Sequence, residues 1–282
     1  MNSPNAATTA LEHRDATGVF VRTSCGEVHV VVDGDPRAPA VCCLHGLPGS
    51  VRDFRSLAGE LVKRGLCSVR VDAPGFGRSA AAATLLTSAQ ARAALLVEVM
   101  QARGHETWAV VGHSFGGSGA LATAALYGDQ VTALVMINSI GITRHRGLQL
   151  PHEITRQARH VARLPVVGER LVAVVRRGYA RLGIRPDKAL DADDVIAHTQ
   201  LVGGLDFADL RCFAAQVRAP SLVVSAADDR VVESAVAFAL AQALSFTKLT
   251  SHRHLGSGGH FLQKRDAPAI ASWLQGRLQS AA

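Results

Sequence analysis

Aromatic residues are scarce in this chain: they make up 5% of its 282 residues, although 48% of the residues are hydrophobic. A core must therefore be built mainly from Ala, Val and Leu. Charged residues are also few, at 19%, and a chain so apolar can bury a large core, which excludes disorder for most of its length. Because α/β folds of roughly 250 residues often form one unit, we predict one α/β domain with an inserted subdomain.

Long uncharged apolar segments are missing as well. No run of about 18 residues is both apolar and free of charge, so no transmembrane helix is predicted. The polar N-terminus lacks the apolar run of a secretory signal, and residues 1–17 are predicted to form a flexible tail. The five cysteines include no CxxC pair, and no Cys/His cluster has zinc spacing. We therefore predict buried reduced thiols, a cytoplasmic location, no metal and no cofactor.

Acidic residues are rare in one segment. Between Arg144 and Lys188 the sequence holds eleven Lys or Arg residues and three acids, whereas the whole chain has a formal net charge of +7. This segment therefore holds the entire basic excess, which is a local property and does not argue for nucleic-acid binding. Two interpretations stay open. The arginines form a solvated outer helix face, or some of them attract an anionic substrate or the acidic surface of a carrier protein.

Short Val-rich runs alternate with helical patterns along the chain. Strands are predicted where such runs are bounded by Gly, Pro, Asp or Ser, at Val28–Val32, Val41–Leu44, Ser68–Val71, Trp108–Val111, Val131–Ile137 and Ser221–Val224. Helices are predicted at Phe54–Val62, Ala91–Met100, Gly117–Leu126, Ser234–Leu244 and Pro268–Leu278. Several strands are apolar on both faces. The predicted fold class is α/β, with a mostly parallel central sheet and helices on both faces.

The alternation stops between residues 141 and 217. This stretch contains no convincing strand, and helical stripes occur at Ile154–Val161, Val167–Val175 and Val195–Leu201. We predict that residues 141–217 form an all-helical cap over the C-terminal edge of the sheet, where open α/β sheets bind ligands. Residues 18–140 and 218–282 then form the core.

The strongest chemical signal is the G-x-S-x-G sequence at Gly112–Gly116. The predicted strand Trp108–Val111 precedes it and a helix of small residues follows. In that context the serine sits at a sharp strand-to-helix turn, which lifts the Ser114 hydroxyl above the edge of the sheet. The turn also places the Phe115 N–H near a helix N-terminus, where it can bind an oxyanion.

Three further motifs accompany this turn in order. His45–Gly49 (HGLPG) resembles an HGxPG oxyanion loop, Asp72–Ser79 (DAPGFGRS) resembles a DxxGxGxS turn, and Gly259–Phe261 resembles a GH-F segment. From about residue 18 to residue 278 the chain resembles the α/β-hydrolase fold family, in its serine-nucleophile branch with a helical cap. The resemblance implies the catalytic order Ser, Asp or Glu, His.

That order suggests a role for each candidate residue. Ser114 is the expected nucleophile, and it needs an adjacent base, for which His260 is the candidate. The acid is expected after the strand Ser221–Val224, where the family spacing selects Asp229 and leaves Asp228 as the competitor. The acid would fix the tautomer of His260 and stabilise its imidazolium form.

The resemblance implies a serine hydrolase that cleaves a carboxylic ester, lactone or thioester through an acyl-enzyme. The backbone N–H groups of Leu47 and Phe115 would form the oxyanion hole. C–C bond hydrolysis of a dienone or keto acid, acyl transfer and a small-molecule receptor role are the alternatives. Family members that are epoxide hydrolases or haloalkane dehalogenases use Asp at the position of Ser114, which disfavours those activities. The expected partner is a small ester-like substrate, with an anionic one as an option, and not nucleic acid.

Overall fold

The computed structural model describes residues 18–79, 86–148, 165–184, 192–244 and 249–279. Its strands are Val19–Thr23 (β1), Gly26–Asp33 (β2), Ala40–Leu44 (β3), Cys67–Val71 (β4), Trp108–His113 (β5), Val131–Ile137 (β6), Ser221–Ala226 (β7) and Thr250–Leu255 (β8). All six predicted strands are confirmed within these bounds. The predicted tail, residues 1–17, lies outside the described residues.

The strands form one sheet of eight in the order β1-β2-β4-β3-β5-β6-β7-β8. The pairs β1/β2 and β2/β4 are antiparallel, and every other neighbouring pair is parallel. The predicted mostly parallel sheet is therefore confirmed. Because β3 to β8 run in one direction, the loops that follow them meet at one edge of the sheet.

Helices cover both faces of the sheet, as predicted. Their bounds are Arg55–Val62 (α1), Ala89–Ala102 (α2), Gly116–Leu126 (α3), Pro165–Leu182 (α4), Ala192–Gly203 (α5), Phe207–Gln216 (α6), Ser234–Leu244 (α7), Leu262–Arg265 (α8) and Ala267–Leu278 (α9). One apolar core lies under α1 and α9. The other lies under α2, α3, α6 and α7.

Helix α3 is buried along most of its length, and its sequence explains how. It consists almost entirely of Gly, Ala, Ser, Thr and Leu, and its residues from Gly116 to Ala124 are all buried. Small side chains let its backbone approach the sheet and its neighbours α2 and α6 closely. The helix is thus held from several sides directly behind the predicted nucleophile.

Part of the predicted cap is described. Helix α4 covers the second predicted helical stripe and α5 the third, whereas the first, Ile154–Val161, lies outside the described residues. Helix α6 packs on α3 and α7, over a face of the sheet. The extent of the cap stays a prediction. In the described ranges, no helix has the length and apolarity needed to cross a membrane.

The cysteines are free, as predicted, but not all are buried. Cys42 and Cys43 lie on opposite faces of β3, one in each apolar core, and Cys67 is buried on β4. The prediction of burial is wrong for Cys212, which is exposed on α6, and for Cys25, which is half-buried in the β1–β2 turn. Neither lies on an apolar strand, so no sheet packing covers it.

A buried ion pair joins β2 to β4 beneath the start of α1. Arg70 Nε lies 2.8 Å from one Asp33 carboxylate oxygen and Nη2 lies 3.2 Å from the other, and neither side chain is exposed. Arg70 Nη1 also donates to the Val51 carbonyl at 2.9 Å. The pair therefore links two antiparallel strands to the 3-10 turn that leads into α1.

We expect Asp33→Ala to destabilise the protein by about 3–5 kcal/mol, because it leaves the Arg70 charge buried and uncompensated. Asp35→Ala is the matched control, since Asp35 pairs with Arg37 at 3.2 Å on the exposed surface and exposed pairs contribute little. Urea unfolding of both variants measures the difference. Equal loss of stability in the two variants would contradict this account.

Candidate active site

The turn between β5 and α3 carries Ser114 in an uncommon backbone conformation. Its φ is +50°, in a region that residues other than glycine rarely adopt and that is often found at functional sites. Its N–H donates to the Ile137 carbonyl at 3.0 Å, and its own carbonyl accepts from the Gly117 and Ile140 N–H groups at 3.1 and 3.0 Å. These bonds to β6 and α3 hold the serine at the edge of the sheet.

The positions around Ser114 require glycine because three backbone segments pass very close to one another there. A Cβ added to Gly112 would lie 2.5 Å from the Gly117 Cα, and one added to Gly116 would lie 2.5 Å from the Leu44 and His45 carbonyl oxygens. Strand, helix and the loop after β3 therefore meet with no space for side chains between them. This is the physical reason for the G-x-S-x-G spacing.

His260 and Asp229 form a hydrogen-bonded pair. His260 lies in the loop between β8 and α8, and its Nδ1 is 2.9 Å from Asp229 Oδ2. Asp229 follows β7 and is buried, and its other oxygen accepts the N–H groups of Val231 at 2.7 Å and Val232 at 3.2 Å. The carboxylate is thus oriented by its own turn and directed at the imidazole.

Asp228 contacts the same loop in a different way. Its Oδ1 accepts the N–H groups of Gly258 and Gly259, both at 2.8 Å. These two hydrogen bonds, which favour the ionised form, hold the pKa of Asp228 below its usual value. Of the two candidate acids, the structure therefore places Asp229 against His260 and Asp228 against the glycines before it.

The carbonyl of His260 is held by two buried side chains. His113 Nε2 and Asn138 Nδ2 both lie 3.0 Å from this oxygen. Burial, together with the neighbouring His260, lowers the pKa of His113 well below its usual value. The imidazole of His113 is therefore neutral and uses its Nε2–H as the donor. Its ring lies 4.7 Å from the His260 ring, which places His260 beside the residue that precedes Ser114.

Asn138 is a residue of the site that the sequence analysis missed. It ends β6 with φ +38°. Its Nδ2 also donates to the Gly259 carbonyl at 2.8 Å, and its Oδ1 accepts the Ala226 N–H at 3.2 Å. One side chain thus ties the end of β6 to β7 and to the His260 loop. Its position directly after a buried strand, at the ligand-binding edge, was the available signal.

Among the hydrogen bonds of the described residues, none joins Ser114 to His260. Catalytic hydrogen bonds are often long without substrate and shorten in the loaded complex. The contact between His260 and Asp229 is therefore formed in this structure, whereas a contact between His260 and Ser114 is not.

The loop after β3 lies against Ser114. His45 Nδ1 is 2.7 Å from the Gly46 carbonyl, and its Nε2 accepts the Ala73 N–H at 2.9 Å. These bonds fix the ring tautomer and the path of the loop. A Cβ on Gly46 would lie 2.8 Å from the Ser114 Cβ, so the backbone just before Leu47 passes directly by the serine.

The two amides predicted to bind an oxyanion are free. In the described part of the chain, neither the Leu47 N–H nor the Phe115 N–H has a hydrogen-bond partner. Phe115 is buried and Leu47 is half-buried, and an unpaired backbone donor at a buried position such as Phe115 calls for an explanation. A ligand oxygen that accepts both bonds would provide one.

The DxxGxGxS segment supports this loop. Asp72 accepts the Val51 N–H at 2.7 Å, the Arg78 N–H at 2.9 Å and a contact from His29 Nδ1 at 2.7 Å. A Cβ on Gly77, at φ +55°, would lie 2.2 Å from the Asp72 carboxylate. The buried Asp72 of this motif therefore holds the turn against β2.

A buried cation lies behind Phe115. The Arg92 guanidinium is 4.6 Å from the Phe115 ring and donates to the Leu86 and Thr87 carbonyls and to Ser118 Oγ. Burial lowers the pKa of Arg92 to about 9, so it stays protonated at neutral pH. No described carboxylate pairs with it. Arg92 lines an apolar cavity of about 30 Å³ that also contacts Leu47.

The fold, the strained serine and the motif loops agree with a comparison of sequence families. Residues 39–168 match the family described as alpha/beta hydrolase fold. This match covers 130 residues, a little under half of the chain. It supports the predicted resemblance to this family and agrees with the α/β fold that the structure shows.

Two curated relatives share part of the sequence. Epoxide hydrolase 3 of Xenopus tropicalis is 29% identical over 135 residues, which are 48% of this chain. The sn-1-specific diacylglycerol lipase ABHD11 of Mus musculus is 36% identical over 109 residues, or 38% of this chain. The chain spans only 36% and 35% of the length of these two relatives.

Solved structures extend the likeness to almost the whole fold. An esterase from the thermophile Thermogutta terrifontis superposes with a TM-score of 0.71 at 19% identity, covering 93% of this chain and 99% of that one. At such identity the likeness concerns the fold alone. It includes the region beyond residue 168, where the family match ends.

We expect Gly112→Ala to destabilise the protein by about 1–3 kcal/mol, because the new methyl group overpacks the β5–α3 turn. Gly128→Ala is the matched control, since its Cβ would meet only the Ala124 carbonyl at 3.5 Å. Urea unfolding followed by circular dichroism checks both variants. The packing account fails if Gly112→Ala is as stable as the control.

Proposed function

We propose that the protein is a serine hydrolase that cleaves a carboxylic ester, lactone or thioester through an acyl-enzyme. The observation that carries the proposal is the 2.9 Å contact between His260 Nδ1 and Asp229, beside a serine held at positive φ. A buried carboxylate that orients an imidazole next to a serine is the arrangement that activates a hydroxyl as nucleophile.

The proton path follows from this contact. Nδ1–H donates to Asp229, so His260 Nε2 is unprotonated and takes the proton of Ser114 as the hydroxyl attacks the carbonyl carbon. The developing negative charge rests on the N–H groups of Leu47 and Phe115. His260 then protonates the leaving group, and water, activated by the same base, releases the acid from Ser114.

The cap is proposed to span residues 141–217 and to enclose the substrate over this edge. The described arginines of its basic segment, between Arg144 and Lys188, are all exposed: Arg144, Arg146, Arg170, Arg176, Arg177 and Arg181. Arg146 pairs with Glu233 at 3.4 Å. This exposure favours the solvated-face interpretation for these six residues. The cytoplasmic location stays a prediction.

Substitution of the two neighbouring acids tests the catalytic assignment. With p-nitrophenyl esters as substrates, we expect Ser114→Ala to lower kcat by at least about 10⁴-fold and Asp229→Asn by about 10⁴-fold, since the amide disturbs the His260 tautomer. Asp228→Asn is the matched control and should retain most activity, because an amide oxygen still accepts the Gly258 and Gly259 N–H groups.

Three results would contradict the assignment. Activity in Ser114→Ala would require another nucleophile, and equal losses in the two Asp variants would remove the special role of Asp229. Tight ester binding by the wild type without turnover would favour a receptor instead.

Asn138 is proposed as a positioning residue for His260. Asn138→Asp keeps the side-chain size but replaces the donor to the His260 carbonyl with a carboxylate oxygen that repels it. We expect kcat to fall by about 10–100-fold with KM nearly unchanged, since a displacement of about 1 Å is enough for such a loss. Steady-state kinetics and a parallel unfolding curve measure this. Unchanged kcat in the folded variant would refute the role.

A further inference from the structure

A polar pair that the proposed mechanism does not use lies between α4 and α5. The Tyr179 hydroxyl on α4 is 2.9 Å from both ring nitrogens of His198 on α5. The centroids of the two rings are 5.3 Å apart. His198 is buried, and in the described part of the chain neither side chain has a hydrogen-bond partner other than the other.

The pair lines a cavity of about 120 Å³ between these helices. Leu148, Val174 and Leu182 are among the aliphatic residues that line the rest of it. Among the described lining residues none is charged. Thr199 also lines it, and its hydroxyl donates to the Val195 carbonyl within α5. The described lining is otherwise apolar except for the neutral Tyr179–His198 pair.

His198 connects this cavity to the oxyanion side of the proposed active site. Its ring packs edge-on against Phe76 at 5.6 Å, and Phe76 packs edge-on against His45 at 5.8 Å. His45 fixes the loop that passes Ser114.

Tyr179 connects the cavity to the acid side. It packs against an apolar cluster that contains Val231 and Val232, and the N–H groups of these two residues hold the Asp229 carboxylate. The pair thus spans the site from the oxyanion loop to the acid loop, where a roof over the substrate would lie.

The hydrogen-bonding capacity of the pair is not used up. Burial, with a smaller effect of His45, lowers the pKa of His198 to about 3, and burial raises that of Tyr179, so both are neutral near pH 7. A neutral imidazole has one N–H and one acceptor nitrogen, and these point in diverging directions, so one phenol oxygen can lie in line with only one of them. The other ring nitrogen therefore keeps hydrogen-bonding capacity for a further partner, and leaving it unpaired is costly at a buried position.

We propose that this cavity binds the acyl chain of the substrate, and that the Tyr179–His198 pair recognises a neutral oxygen atom on that chain, such as a ketone or hydroxyl. The inference rests on the proposed ester hydrolysis and names its substrate class. The cavity beside Leu47 and Phe115, at about 30 Å³, is too small for such a chain. A carboxylate would find no described cation in the larger cavity.

Three p-nitrophenyl esters of equal chain length test the proposal: the hexanoate, the oxohexanoate with its ketone on the penultimate carbon, and the half-ester of adipic acid. We expect the wild type to prefer the ketone over the hexanoate in kcat/KM by about 3- to 10-fold, the value of one net hydrogen bond, and to disfavour the half-ester. Tyr179→Phe removes only the hydroxyl and should bring the ratio of kcat/KM for the ketone to kcat/KM for the hexanoate to about 1, whatever the absolute rates of the variant.

Tyr127→Phe is the matched control, because the chain has two tyrosines and Tyr127 lies at the C-terminal end of α3, outside the residues that line the cavity. It should retain the full ketone preference. The proposal is overturned if the wild type shows no preference, if Tyr179→Phe keeps it, or if the half-ester is the best substrate.

A binding measurement separates this proposal from the proposed function. Calorimetry with Ser114→Ala protein compares methyl oxohexanoate with methyl hexanoate, and the same comparison is made after adding Tyr179→Phe. A ketone preference that depends on Tyr179 supports the cavity assignment even if no ester is hydrolysed, in which case only the hydrolase proposal fails. Turnover of esters by the wild type without any Tyr179-dependent preference refutes the cavity assignment alone.

Discussion

The arrangement of this site depends on the close approach of three backbones at Ser114. The end of β5, the start of α3 and the loop after β3 meet where a single added methyl group would overlap with a backbone atom. That approach holds the serine at φ +50°, and the neighbouring amides of Leu47 and Phe115 have no hydrogen-bond partner among the described residues. We therefore propose that the same close backbone packing positions both the nucleophile and the oxyanion donors.

His260, the proposed base, is held in a different way, because it lies in a loop and not on a helix or strand. Hydrogen bonds from Asn138 and His113 hold the His260 carbonyl, and Asp228 accepts the two preceding N–H groups. Asp229 then needs only to orient the ring. The loop is thus hydrogen-bonded to residues at the ends of β5, β6 and β7. These bonds fix the position of a loop residue with the precision that the proposed proton transfer needs.

The features that could be predicted have a local signal in the sequence, and most of those that were missed depend on contacts between residues far apart in the chain. The six Val-rich strands, the helices on both faces and the turn at Ser114 could be predicted from the sequence. The spacing of apolar residues, the Gly, Pro, Asp or Ser residues that bound each run, and the small residues around the turn are all local signals. Strand β1 was missed because its apolar run, Val19–Val21, is only three residues long and therefore shorter than the runs that predict a strand. Asn138, Arg92 and the Tyr179–His198 pair were also missed, because each acquires its role from residues far away in the chain.

The central claim, that Ser114 forms a covalent acyl-enzyme, is tested most directly by trapping that species. The protein is mixed with p-nitrophenyl acetate, quenched in acid within the first turnover and digested for peptide mass spectrometry. The account predicts an acetyl group on Ser114 that disappears on longer incubation. An acetyl group on another residue, or p-nitrophenol release with no modified peptide, would contradict it.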